Sequence, residues 1–380
     1  MTEFDQEFYW YWFVNIPGIG NKKRIQLMEH FGHPSILFEC KEKEISSFLA
    51  EEERNAFLSS RNAEAIERGM KHLKEEGYRF IHWDSKDYPF RFRNLYDPPY
   101  GFYLRGRLPD SSKAAVAIVG SRRATQYGRK MAQDFAKELA SHDVVIISGM
   151  AAGIDSVAHR TALSCRGETL GLLGGGIDTM YPKENWNLYL DMYQMAGVMS
   201  EYNLGVPNHA GLFPMRNRLI SGLSDVILVV EAGLKSGSLI TADQGMEQGK
   251  EVYAVPGRLT DPMSKGCNHL IAQGAMVAES PFDLLDDLSR FAERKKMESD
   301  KELSHEVFRQ SAPSAMEKNY FLSEEERSIL NFMDIIQAHS FEELLQLTGM
   351  QVAVLQHFLV EMELKGLIFQ CQQHMYLKKM

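Results

Sequence analysis

Val116-Ala117-Ile118-Val119-Gly120-Ser121-Arg122-Arg123 (residues 116–123) is the stretch on which the reading of the fold turns. Four apolar residues followed by a small, cationic loop read as a buried parallel strand that delivers its loop to the carboxyl edge of a sheet. The same phrase recurs downstream. Val144–Ile147 runs into Ser148-Gly149-Met150-Ala151-Ala152-Gly153, and Thr169–Leu173 into Gly174-Gly175-Gly176. Gly197–Met199, Val226–Val230 and Val252–Val255 complete a set of six strands separated by helical stretches. The spacing predicts an α/β, doubly wound core. In such an open sheet the loops gather at the edge where ligands bind. Glycines there permit close approach, and helix N-termini favour anions.

Working outward, residues 1–80 read as helical. Phe8–Val14 is an apolar helix, Pro17-Gly18-Ile19-Gly20 breaks it, and Lys22, Lys23 and Arg24 open the next. That turn resembles a helix-hairpin-helix, in which backbone N–H groups and basic residues hold a phosphate; an ordinary helix–helix turn reads the same way. Residues 77–115 are rich in Pro and aromatics and predict extended chain packed on the core. The core with this lead-in spans 81–287. The charged segment 288–320, with Ser311-Ala312-Pro313-Ser314-Ala315 inside it, reads as a linker. In 321–380, Ser323 and Glu326 form a capping box. Helices at Phe341–Leu347 and Gln351–Lys365 and a hairpin from Leu367–Phe369 and His374–Leu377 then predict a winged helix.

A chain of 380 residues is too long for one core. A net charge of −9 argues against a generally basic polyanion binder but leaves room for a local cationic site. The cysteines (Cys40, Cys165, Cys267, Cys371) are scattered and form no CxxC pair, which suits a reducing compartment and offers no zinc site or disulfide framework. The acidic N-terminus lacks the basic region of a signal peptide, and Phe8–Val14 is too short to span a bilayer. A cytoplasmic protein without a membrane segment is expected.

Three motifs carry the chemistry. Between Val116 and Arg129 stand Arg122, Arg123 and Arg129 with no acid, at the start of a helix, so Arg122 and the helix N-terminus converge on a phosphate in this reading. The segment has neither GxGxxG nor a Walker lysine. Phe213-Pro214-Met215-Arg216-Asn217-Arg218 combines arginines for phosphates, an amide for a base edge or sugar, and a ring for stacking. Phe213 fits a core position equally well. Asp155 and His159, four apart, share a helix face; a helix cap or local ion pair is the stronger reading over a metal or acid–base couple. No nucleophile–base set or metal motif assembles, so neither catalytic nor metal residues are expected.

These elements together identify the chain as similar to the bacterial DNA-processing DprA/Smf family. The resemblance rests on Val119-Gly120-Ser121-Arg122, Ser148–Asp155 with Ala158-His159, and Gly174–Asp178 with Tyr181-Pro182. It continues through Phe213–Ile220, Glu231-Ala232, Ser236–Ala242, Pro256-Gly257 and Gly266–Ile271. It implies an extended Rossmann-like core, an N-terminal helical SAM-like domain and a C-terminal winged helix. It implies single-stranded DNA binding and protection, loading of the recombinase RecA during natural transformation, a homodimer formed through the core, and no cofactor. At the matching positions, Ser121, Arg122, Arg123, Arg216, Asn217 and Arg218 line the DNA site and Phe213 stacks on a base. Gly149, Gly174, Gly175 and Lys235 border it.

Two departures stand out. Many family members carry Lys or Arg three residues before the matching Phe; here Ala210 stands there beside His209, so binding gains strength when His209 protonates. Residues 321–380 hold four Lys/Arg against eight Asp/Glu, a poor grip for duplex DNA, which points that domain toward protein contacts. Two competing functions are a nucleotide phosphoribohydrolase of the lysine-decarboxylase-like group, whose PGGxGTxxE segment is not reproduced here, and a RecA-docking scaffold that binds no DNA.

Overall fold

A computed structural model describes residues 3–289, 323–333, 339–364, 368–372 and 375–378. The chain forms two compact units, Met1–Ser299 and Asp300–Met380. The segment expected as a linker lies outside the described residues from 290 onward, as does Gly366, expected to end the last helix.

The first unit opens with helices α1 (Glu3–Val14), α2 (Asn21–Phe31), α3 (Pro34–Glu39), α4 (Glu42–Ile45), α5 (Glu51–Ser60) and α6 (Ala63–Glu75). Strand β1 (Arg79–His82), a 3₁₀ turn at Phe90–Asn94 and β2 (Gly101–Gly106) follow. Strands and helices then alternate: β3 (Ala115–Val119), α7 (Gln126–Ser141), β4 (Val145–Ser148), α8 (Ile154–Ser164), β5 (Thr169–Leu172), α9 (Trp186–Met195) and β6 (Gly197–Ser200). The series continues with α10 (Leu212–Leu223), β7 (Val226–Val229), α11 (Gly237–Glu247), β8 (Glu251–Ala254), α12 (Lys265–Ala272) and β9 (Met276–Val277), closing on α13 (281–289).

The sheet order is β1-β2-β6-β5-β4-β3-β7-β8-β9, parallel from β6 to β9. Strands β3 to β6 step one way from the centre and β7 to β9 the other, so the order reverses between β3 and β7. That gap is the switch point at which open α/β sheets bind ligands. The apolar runs are buried on both faces because successive side chains alternate. Ala115, Ala117 and Val119 join a core with Leu219 of α10, Ala242 of α11 and Leu270 of α12, whereas Val116 and Ile118 join Phe135 of α7, Ala158 of α8 and Leu284 of α13.

Two features differ from the sequence reading. Residues 77–115 add strands to the sheet: β1 pairs antiparallel with β2 (Phe80 opposite Tyr103) and β2 with β6 (Leu104 opposite Met199). Strand β1 has only four residues, and β2 follows Pro98-Pro99 with a run buried from Gly101 to Leu104, so neither shows the alternation that marks a strand in sequence. The N-terminal helices also share one apolar cluster with the sheet edge, Trp10, Phe13, Leu27 and Phe57 joining Met150, Leu188, Met192 and Val198. The Asn15 amide and the Tyr103 hydroxyl hydrogen-bond across that boundary.

The second unit runs α14 (Glu324–Phe332), β10 (His339–Ser340), α15 (Phe341–Thr348), α16 (Val352–Leu364), β11 (Ile368–Gln372) and β12 (Met375–Lys378). Its sheet order is β10-β12-β11, a winged-helix arrangement, and the expected capping box is formed: Ser323 Oγ accepts from Glu326 N and the Glu326 carboxylate from Ser323 N. Leu330, Leu344, Leu355, Leu359 and Ile368 fill its core.

Candidate nucleic-acid interface

A cleft of about 350 Å³ opens at the switch point, between the loop after β3 and the N-terminal turns of α10 and α11. The β3 loop is held tightly. Ser121 N donates to Glu231 O at 2.7 Å, Ile154 N donates to Ser121 O at 3.2 Å, and Ser121 Oγ accepts from Arg123 N at 3.0 Å. Gly153 is required beside it: its φ is +82°, and a Cβ there would stand 2.2 Å from Ser121 O. Ser121 is therefore buried scaffold, while the Arg122 and Arg123 side chains are exposed.

Helix α7 begins beside this loop, but its N-terminus is already occupied. The buried Glu231 carboxylate accepts from Thr125 N (2.8 Å) and Thr125 Oγ1 (2.6 Å), and Thr125 Oγ1 accepts from Gly128 N (3.1 Å). The expectation that Arg122 and this helix start converge on a phosphate is corrected accordingly. An internal carboxylate supplies the negative charge that the helix dipole favours.

Helix α10 carries the second motif and splits it. Half-buried Phe213 faces the cleft, with Arg122 Cζ 4.8 Å from its ring centroid and the exposed Tyr181 ring 6.1 Å away. Arg216 lines the cleft yet is 5% exposed, and its Nη1 donates to Gly149 O at 2.5 Å and to Leu172 O. Asp155, buried nearby, accepts from Gly149 N (3.2 Å) and Ala151 N (3.4 Å). Burial lowers the pKa of Arg216 and raises that of Asp155, and each charge opposes the other's shift. Arg216 is thus chiefly a clasp across the ends of β4 and β5. Asn217 lines the cleft too and donates to Gly237 O at 3.2 Å.

Arg218 points elsewhere. Residues two apart on a helix lie about 200° apart around its axis, and Arg218 is buried between Glu201 (Nη2 to Oε1 2.7 Å and to Oε2 2.6 Å) and Asp97 (Nε to Oδ2 3.0 Å). The structure does not bring it to the cleft, and its expected phosphate contact is corrected: Glu201 and Asp97 hold the buried guanidinium by its Nη2 and Nε atoms.

The glycine loops make room for the protein's own side chains. A Cβ on Gly149 would stand 2.4 Å from Arg216 Nη1, one on Gly174 2.8 Å from Phe213 Cδ1, and one on Gly175 2.3 Å from Asn208 Oδ1. Gly174 therefore serves the site indirectly, by seating the Phe213 ring. Lys235 is exposed on the loop before Ser236, which caps α11 at the cleft wall. His209 and Ala210 are exposed ahead of α10.

Asp155 and His159 do not form a pair. His159 Nδ1 meets Thr169 Oγ1 at 2.7 Å, and burial pulls its pKa down to about 3. Among the described residues no His, Cys, Asp or Glu group could hold a metal ion, and no helix is long and apolar enough to cross a membrane. At the Pro17–Gly20 turn, Lys23 is paired with Glu53 and Arg24 Nη2 donates to Val14 O at 2.7 Å, leaving Lys22 as the exposed cation there. Sequence reasoning gave no role to Tyr181, Thr125 or Glu231. Tyr181-Pro182 stood out in the sequence as an element of the resemblance, but the exposure of Tyr181 and its approach to Phe213 depend on long-range folding.

Comparison with known proteins bears on this geometry. Residues 79–289 match the family described as DNA recombination-mediator protein A, and residues 310–373 match the DprA winged helix domain. The DNA processing protein DprA of Bacillus subtilis is 40% identical over 224 residues, which are 59% of this chain and 75% of its own length. The X-ray structure of Streptococcus pneumoniae DprA superposes with a TM-score of 0.66 at 30% identity, covering 73% of this chain and 97% of that one. A Helicobacter pylori DprA structure, described for its single-stranded DNA binding mode, gives a TM-score of 0.50 at 32% identity over 56% of this chain and 96% of that one.

Proposed function

The chain belongs to the DprA/Smf family of DNA recombination-mediator proteins, and from that premise we propose that its switch-point cleft binds single-stranded DNA without cleaving it. One observation carries the reading: the exposed Arg122 guanidinium stands 4.8 Å above the half-buried Phe213 ring, at the mouth of the cleft. A base stacks on an aromatic or guanidinium plane only when it is unpaired, and the same guanidinium neutralises the adjoining phosphate. Arg123 and Lys235 add exposed cations on the two loops beside it. Gly237 and Ser238 begin α11 at the cleft wall, where a helix start favours an anion. Ser121, Arg216, Gly149, Gly174 and Gly175 act behind this surface by fixing its shape, and Asn217 lines it. Arg218 takes no part.

The same membership supports a role in handing DNA to RecA during transformation or recombination, a homodimer formed through the core, and a cytoplasmic site of action. The acidic balance of the winged helix favours protein over duplex DNA as its partner.

A double-mutant cycle tests the carrying observation. Phe213→Ala costs about 1–3 kcal/mol of oligothymidine affinity. Arg122→Ala also weakens binding, and the double variant loses less than the sum because ring and guanidinium hold one nucleotide together. Fluorescence anisotropy with labelled oligothymidine reads all four proteins. Wild-type affinity in both single variants would remove the site.

A further inference from the structure

A second recessed site lies away from the switch point, where α2 and the turn after it meet the lead-in strands. It measures about 280 Å³, just below the ~300–1,000 Å³ typical of drug-sized sites. Its walls are the rings of Trp10, Trp83, Tyr100 and His33, and its charged groups are Glu29 and Asp84. No Lys or Arg stands among the residues lining it.

The aromatic wall is rigid. Trp10 stacks on Tyr100 (centroids 5.9 Å apart, planes at 16°) and meets His33 edge-on at 5.6 Å, while Trp83 packs against Tyr100 at 5.5 Å. Asp84 Oδ2 accepts from Trp10 Nε1 at 2.8 Å and lies 3.5 Å from His33 Nε2. Asp84 Oδ1 and the exposed Glu29 carboxylate have no hydrogen-bond or ion-pair partner among the described residues. Glu29 is near enough to Tyr100 to add to the effect of burial, and together they push that phenol up to about 12. The chain itself shows what such a wall accepts: Arg93 Cζ sits 4.4 Å from the Trp83 ring centroid.

Trp10 is 1% exposed and stacked on both Tyr100 and His82, so it backs the wall. The Trp83 and Tyr100 rings are the ones that meet a cation, which aromatic faces attract through their quadrupole. Two carboxylates with unused acceptors reinforce that preference and repel phosphate. We propose that this pocket is a receptor for an organic cation, a guanidinium or alkylammonium head group. Two sources carry that chemistry: an Arg or Lys side chain of a protein partner, and a free polyamine. The pocket volume fits a head group with a short stem. The site shares no residue with the DNA cleft, so this inference stands apart from the DNA reading.

The test uses the full chain, ¹⁵N-labelled on its tryptophan indoles. N-acetyl-arginine amide, its neutral isostere N-acetyl-citrulline amide, an acetylated Gly-Arg-Gly peptide and spermidine are titrated separately. The arginine amide shifts the Trp10 and Trp83 indole signals saturably and the citrulline amide does not. Glu29→Gln, at an exposed position, weakens the response about fivefold or more. Tighter binding of the peptide than of spermidine supports a protein side chain as the ligand, and the reverse order supports a polyamine. Adding Asp84→Asn weakens binding further. Equal responses to arginine and citrulline amides, or a wild-type response in Glu29→Gln with the indole spectrum intact, overturns the proposal.

Discussion

Replacing Arg218 by Met separates scaffold from ligand contact more sharply than any other single change. Arg218 is 4% exposed and holds two carboxylates, Glu201 with a 13% exposed side chain and Asp97 with 33%. Removing one partner of a buried pair costs about 3–5 kcal/mol, because the remaining charge is stranded. Here two acids are stranded side by side, but water reaches Asp97, so the lower end applies: about 3 kcal/mol. Met keeps the aliphatic bulk, so little of this is cavity formation. The sign with pH follows. Asp97 already has a pKa raised, mainly by burial, and loss of Arg218 raises it further, so the folded variant binds protons more readily than the unfolded chain and its deficit shrinks as the solution is acidified. Urea unfolding followed by tryptophan fluorescence is the assay, since Trp10, Trp12, Trp83 and Trp186 all lie in the first unit. Oligothymidine affinity without denaturant stays within about twofold of wild type, under half a kcal/mol. A tenfold loss of DNA affinity with an unchanged urea midpoint would show that Arg218 touches DNA and that its ion-pair role is misjudged.

Three further outcomes follow from the same geometry. Gly128→Ala places a Cβ 2.3 Å from Glu231 Oε2 and 2.7 Å from Glu231 Cδ; it destabilises the first unit by about 1–3 kcal/mol and weakens oligothymidine binding through the Arg122 loop, and unchanged values for both would contradict the capping role of Glu231. His159, held neutral by burial with a pKa of about 3 against an ordinary 6.5, takes up its proton on unfolding. Stability therefore falls as pH drops from 6.5 toward 3, by about 2 kcal/mol at pH 5, and His159→Gln flattens that part of the urea-stability profile; an equal slope in both proteins would refute the assignment. Deleting residues 321–380 leaves oligothymidine affinity within about threefold of wild type, since the segment is acidic, and a gel shift showing loss of binding would contradict that.

The parts of this molecule legible in its sequence were those fixed by local pattern. Continuous runs such as Val116–Val119 and Val226–Val229 are buried on both faces in any parallel sheet, and the loops after them fall at one edge by topology. The capping box at Ser323 and Glu326 is equally local. What escaped depended on rotation and distance. Arg216 and Arg218 look alike in sequence, yet a two-residue step around α10 sends one to the cleft wall and the other to Glu201 and Asp97. Glu231 lies about a hundred residues from Thr125, so no spacing rule links it to the start of α7. The glycines were read as clearance for a ligand, whereas Gly149 and Gly175 clear Arg216 and Asn208. Strands β1 and β2 were missed because β1 has only four residues and β2, paired on both sides, is buried without alternation from Gly101 to Leu104, so neither shows a period of two.

The most direct measurement is the salt dependence of binding to labelled oligothymidine and to a matched duplex, for wild type and Arg122→Ala. The single strand is preferred, log affinity falls linearly with log salt, and Arg122→Ala makes that line shallower by about 0.7. Preference for duplex, no binding at low salt, or identical slopes for the two proteins would contradict the account.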